Sequence, residues 1–187
     1  MEKDRRNKEE GMPIVVMKNS KDKWTSSFIV PQKGVCDYAV GAISREIQNA
    51  GYNRVIFKSG QELALKELLR AVKRERAEKI EFAGIGKEES AVGESASNGF
   101  IERAIQDVQG QIRTIKLAVE WRYKSILKED HPILPWIVKY AGITISVCRK
   151  GEDGRTAYER RRKKIHKGTS RVWGMCVVFK TRVGQGE

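Results

Sequence analysis

The sequence predicts an α/β fold in which a mixed sheet carries helices on its faces. Three observations predict it. Residues 12–30 hold two short apolar runs rich in β-branched residues, split by the turn Asn19-Ser20-Lys21-Asp22, which reads as a hairpin. Two further strand-length runs, 54–58 and 80–83, alternate with segments of helical spacing, the pattern of βαβ units. A long amphipathic stretch then follows a loop of small polar residues. Antiparallel strands followed by βαβ units make a mixed sheet that needs helices to cover it.

Each element has its own reason. Residues 12–18 and 24–30 are the two arms of the hairpin, and 31–34 are a loop. Residues 35–50 place Cys36, Ala39, Val40, Ile43 and Ile47 at helical spacing. Gly51 stops that helix, since glycine takes a left-handed cap without strain. Strand 54–58 is centred on Val-Ile-Phe. Residues 61–74 are a helix with Leu65, Leu68, Leu69 and Val72 on one face. Residues 84–96 are loop by composition, and Ser95 and Ser97 are candidate N-caps for the long helix. That helix should bury Ile101, Ile105, Val108, Ile112, Ile115 and Val119. Pro132 and Pro135 open another helix through Trp136, Val138, Tyr140, Ala141 and Ile145, and 151–154 break it. Residues 156–164 are a short basic helix and 172–182 a last strand. Trp24, Trp121 and Trp136 are expected in the core. Trp173, near the basic tail, is the aromatic free to stack on a base or a partner, and His131 beside Pro132 is a turn residue.

Composition narrows the partners. The chain has 187 residues, 40% hydrophobic and 33% charged, with a net charge of +13. Such a field favours a polyanion. The charge is uneven, with twelve Lys or Arg against four Asp or Glu in residues 149–187. Cys36, Cys148 and Cys176 are scattered, which suits reduced thiols inside a cell, in nucleus or cytoplasm. With His131 and His166 the only histidines, a two-His, two-Cys zinc site is not expected. No apolar run approaches the roughly 20 residues that span a bilayer, so no membrane partner is expected. The charged first ten residues resemble neither a signal nor a transit peptide.

The chemistry-bearing residues gather on the long helix. Glu102 is placed in its first turn, where a carboxylate either ligates a divalent cation or simply favours the helix dipole. Gln106, Gln109, Arg113 and Lys116 follow along one outward stripe that suits a phosphate backbone. Asn98 and Gly99 sit at the helix start, where free amides attract anions. The run Arg160-Arg161-Arg162-Lys163-Lys164 can neutralise phosphates without reading sequence, and resembles a nuclear-localisation patch. A solvated face and a solubilising tail are the plainer readings of both features.

Several stretches together resemble the integrase catalytic core of retroviruses and long-terminal-repeat retrotransposons. Phe57-Lys58-Ser59-Gly60-Gln61-Glu62 is similar to the family's motif where Ser-Asp-Gln-Glu would stand. Residues 92–102 are similar to its loop into the catalytic helix, ending in Ser-Asn-Gly-x-x-Glu, and Gly110-Gln111-Ile112-Arg113-Thr114 continues that helix. Residues 131–140 and 154–160 resemble the closing segment, and 174–180 the first strand of the small barrel that often follows. The resemblance implies an RNase H-like fold with its first strand missing. It divides the chain into an unstructured start (1–11), the core (12–148) and a basic extension (149–187).

The resemblance also implies metal-dependent DNA cleavage and strand transfer, with DNA as partner and Mg²⁺ or Mn²⁺ held by three carboxylates. Two such ions clamp the attacking and leaving oxygens. Here Glu102 matches the helix carboxylate, but Gly60 stands where an aspartate should and has no side chain to offer. The only aspartate upstream of the hairpin is Asp4, in a charged segment unlike a buried strand. Glu62 and Asp37 are the nearest stand-ins. The implied state is a degenerate site, with catalysis absent or very weak. The rival readings are a non-enzymatic nucleic-acid-binding module on the same scaffold and a product with no function. Association into a homo-oligomer is left open.

Overall fold

The computed structural model describes residues 11–52, 54–60, 62–76, 81–85 and 95–167. The anticipated strand at 172–182, Trp173, Asp4 and most of the loop before the long helix lie outside them.

The described residues form a mixed α/β fold. Strands β1 (Ile14–Lys18) and β2 (Thr25–Ile29) pair antiparallel, with Val16 opposite Ser27. Asn19 shapes their turn, its side-chain oxygen accepting from the Lys21 and Asp22 amides at 2.7 and 3.1 Å. Helix α1 (Asp37–Ala50) buries Ala39, Ala42, Ile43 and Ile47. It ends at Gly51 with φ 70°, a left-handed value that favours glycine. Strand β3 (Arg54–Phe57) pairs parallel with β4 (Glu81–Ile85), and helix α2 (Leu63–Arg76) joins them. Helices α1 and α2 are tied together: Arg76 donates to the Ser44 carbonyl at 2.7 Å and to Gln48 at 2.9 Å.

The strands do not form one continuous sheet. β1–β2 and β3–β4 are separate pairs, and no strand among the described residues bridges β1 to β3. A shared core holds them instead. Phe28, Val30, Ile43, Ile47, Leu68 and Val72 form its centre, with Val15, Met17, Val55 and Phe57 packed against it from both pairs. Hydrophobic burial thus joins sheets that hydrogen bonds do not.

Helix α3 (Ser95–Tyr123) is 29 residues long. With α4 (Leu134–Cys148) it makes a second core of Ile115, Val119, Leu127, Ile137 and Ala141. The buried face of α3 differs from expectation. Val108, Ile115 and Val119 are buried as expected, but Ala104 is buried as well and Ile105 is 38% exposed. The face is rotated toward Ala104, and α3 packs on β1. The rotation draws Asp107 into partial burial. Trp121 and Trp136 are also not core residues, being 76% and 66% exposed. Trp121 stands on the helix face opposite the buried stripe, and Trp136 follows Pro135 in the first turn of α4. Trp24 is half-buried.

Helix α4 lies directly on β2. The Thr25 amide donates to Ser146 Oγ at 2.8 Å, and that hydroxyl donates back to the Thr25 carbonyl at 3.0 Å. One serine therefore satisfies both outward backbone groups of Thr25, which a sheet edge would leave open. Ser27 Oγ donates to the Val138 carbonyl at 2.6 Å. Gly142 makes the approach possible: a Cβ there would stand 2.8 Å from Ser27 Oγ and 3.0 Å from its backbone nitrogen.

A final short helix, α5 (Ala157–Arg162), opens with a capping box in which Thr156 and Glu159 exchange hydrogen bonds. It packs against α4. His131 is a turn residue as expected, its Nδ1 accepting from the Ile133 amide at 3.2 Å.

Candidate nucleic-acid interface

Helix α3 carries most of the anticipated site. Glu102, Gln106, Gln109 and Arg113 are exposed along one stripe, as their spacing requires. Lys116 is half-buried and lies 3.8 Å from Glu120 Oε1. Glu120 in turn accepts from the Leu127 amide at 2.8 Å, which braces the turn after α3. The helix begins at Ser95, earlier than the loop composition suggests. Its first-turn amides therefore belong to residues 95–98. Asn98 is the last of these, Gly99 lies beyond them, and Glu102 stands in the second turn.

Gly60 is exposed in the loop after β3, and nothing lies within 4 Å of where its Cβ would be. Asp37 and Glu62 are both exposed at helix starts, on α1 and before α2. Among the described residues no three of His, Cys, Asp and Glu converge into a metal cage. The described residues do not fit a pair of divalent cations, which needs several converging carboxylates.

The basic run separates into two parts. Arg160 pairs with Asp153, its Nε 3.0 Å from Oδ2. The Arg160 guanidinium holds the Asp153 carboxyl down from the ordinary 3.8 to about 2. Arg161 turns inward, its Nε 2.7 Å from Asp22 Oδ2, with side chains 8% and 3% exposed. Its guanidinium lies 4.4 Å from the Trp24 ring centroid. Asp22 also accepts from the Trp24 amide at 2.8 Å and from the Tyr52 hydroxyl at 3.2 Å. Burial pushes the Tyr52 hydroxyl above its usual range, and Asp22 adds to the shift. Arg161 thus fastens α5 to the β1–β2 turn. Arg162, Lys163 and Lys164 remain exposed.

A second basic group was not anticipated from the sequence. Asp107 pairs with Arg103 (Nε to Oδ1, 3.4 Å) and with Arg149 just past α4. Lys18 at the end of β1 and Lys23 in the hairpin turn reach over the Phe100 ring at 4.8 and 5.0 Å. Burial lowers the Lys18 ammonium pKa below the usual lysine range. Asp107 opposes that shift, while Arg149, Lys23 and Arg103 reinforce it. Of these residues only Arg103 and Asp107 carried a sequence signal, the helical i, i+4 spacing of opposite charges. The others come from β1, the turn and α4, and only the fold brings them together.

The arrangement defines a class: a mixed α/β scaffold whose long helix presents a polar and cationic flank, without a carboxylate cage among the described residues. The chain is similar in structure to the catalytic core domain of BIV integrase. The TM-score is 0.48 and the identity 16%, over 80% of this chain and 85% of that one. No family model and no curated protein sequence matches.

Proposed function

We propose that this chain is an integrase-like scaffold that binds DNA through its phosphate backbone and does not cut it. The observation that carries the reading is the flank of α3. Exposed Gln106, Gln109 and Arg113 run along it, while the carboxylate position at residue 60 is filled by glycine. The +13 charge supplies the long-range attraction. The order of motifs from Phe57 to Glu102, resembling integrase cores, supplies the partner class. The exposed Arg162, Lys163 and Lys164 add non-specific phosphate contacts. The degenerate site follows from chemistry: Glu102 by itself cannot hold two hard cations against water.

The test has two arms. Labelled duplex DNA is titrated with the purified chain at low and moderate salt, and the same preparation is assayed for nicking and strand transfer with Mg²⁺ and with Mn²⁺. The expected result is salt-sensitive binding without turnover. Robust turnover abolished by Glu102→Ala would overturn the claim of silence, and absence of binding at low salt would overturn the claim of DNA as partner.

A further inference from the structure

Arg103 and Arg149 pair with Asp107, Lys18 and Lys23 meet over the Phe100 ring, and Lys18 lies within electrostatic reach of all three other cations and of Asp107. Among the described residues, the two ion pairs of this group, from Arg103 and from Arg149, both run to Asp107. Among the described residues these four cations gather beside a single paired carboxylate. Like charges do not gather for stability, since each adds repulsion to its neighbours. Burial aggravates this at Lys18. Among the described residues the group is therefore poorly compensated, and it is suited to an added anion.

A cleft of about 470 Å³ opens beside the group, lined by Gln106, Asp107, Gly110, Gln111, Thr144 and Arg149. Two features of it lack an internal purpose. The Thr144 hydroxyl oxygen is buried and finds no hydrogen-bond partner among the described residues. Gly110 sits in the middle of a 29-residue helix, yet nothing lies within 4 Å of where its Cβ would be. Glycine costs a helix interior about 1 kcal/mol relative to alanine, and no packing among the described residues requires it here. A ligand approaching the helix backbone would use both the missing side chain and the free hydroxyl.

We propose that the Lys18–Lys23–Arg103–Arg149 group is a phosphate-binding site, and that the adjoining Gln106–Gly110–Thr144 cleft receives the sugar of the same nucleic-acid strand. The site rests on the DNA reading above and deepens it. Gln106 belongs to both the exposed stripe and the cleft, so the backbone track continues from Arg113 around the helix to the hairpin turn. Phe100 presents the ring on which the two lysines rest, and ligand binding draws their ammonium groups toward the phosphate.

The experiment measures duplex DNA affinity against salt for the full chain and three variants. Lys23→Asn/Arg103→Gln removes two exposed charges, and asparagine tolerates the left-handed backbone at position 23 (φ 65°). Arg54→Gln/Lys139→Gln removes two exposed charges elsewhere. Gly110→Leu fills the cleft with a good helix former. The first variant should lower the slope of log K against log salt by about 1.8, at about 0.9 per phosphate contact. The second should leave it unchanged. Gly110→Leu should raise the thermal midpoint and weaken binding together, which a structural role for the glycine would not produce. Normal binding by both the first variant and Gly110→Leu overturns the site and leaves the DNA reading standing, as does an equal loss in the two charge variants. If the unaltered chain binds no DNA, a thermal shift with pyrophosphate at constant ionic strength decides. A shift abolished by Lys23→Asn/Arg103→Gln upholds the anion site with a free phosphate as its source. No shift overturns the site along with the DNA reading.

Discussion

Replacing Arg161 with methionine tests whether the basic run is a uniform phosphate-binding surface or is divided by the fold. In the structure the guanidinium is buried against Asp22 and rests on Trp24. Removing one partner of a buried ion pair typically costs about 3–5 kcal/mol, because the other charge is left in a poor solvent. Asp22 would keep two neutral donors, the Trp24 amide and the Tyr52 hydroxyl. That places the loss near the lower end, about 3 kcal/mol, with up to about 1 kcal/mol more from the lost contact with the indole. At roughly 2–4 °C per kcal/mol for a chain of this size, the midpoint should fall by roughly 6–16 °C. Urea unfolding at neutral pH measures the same loss directly. Asp22→Asn/Arg161→Met should recover much of it, since no charge is then left buried. The reasoning is refuted if Arg161→Met unfolds within about 1 kcal/mol of the parent, the scale of an exposed pair, while its DNA affinity drops as far as that of Lys163→Gln.

Three other outcomes follow from the packing. Ser146→Ala strands both the amide and the carbonyl of buried Thr25, at about 1–3 kcal/mol for each unsatisfied group, so urea unfolding should show a loss of about 2–6 kcal/mol, whereas Ser146→Thr should retain the pair if its methyl group fits. Gly142→Ala drives a methyl group onto the β2 backbone and should cost about 1–3 kcal/mol by overpacking, read as a lower unfolding midpoint. Asp153 is held at about 2, below its ordinary 3.8. Its pairing with Arg160 therefore adds stability that is present above pH 4 and lost as pH falls toward 2. An acid titration of the midpoint should be shallower in that window for Asp153→Asn than for the parent.

Local rules made the elements legible. The β-branched runs, the helical spacing of Ile43 and Ile47, and Gly51 as a stop all reappear in β1, β2 and α1. The stripe from Glu102 to Arg113 was legible for the same reason, since it needs only the helical repeat. What needed the fold was anything set by a neighbour. Ile105 matches the helical pattern as well as Ile112 does, and only the seat of α3 on β1 turns it outward. Arg161 looks like its neighbours in a basic run, and only the position of Asp22, 139 residues earlier, buries it. The Asp107 group was hidden for the same reason. Its lysines lie in a hairpin whose turn residues are ordinary, and its cations meet only when α3 and α4 close over β1.

The central claim is that side-chain cations, without a metal, hold the DNA backbone. The measurement that tests it most directly is the salt dependence of duplex DNA affinity with and without a chelator. Two superimposable lines of log K against log salt, falling steeply with added salt, are what the proposed binding mode predicts. Affinity that collapses on chelation, or that is absent at low salt, would contradict it.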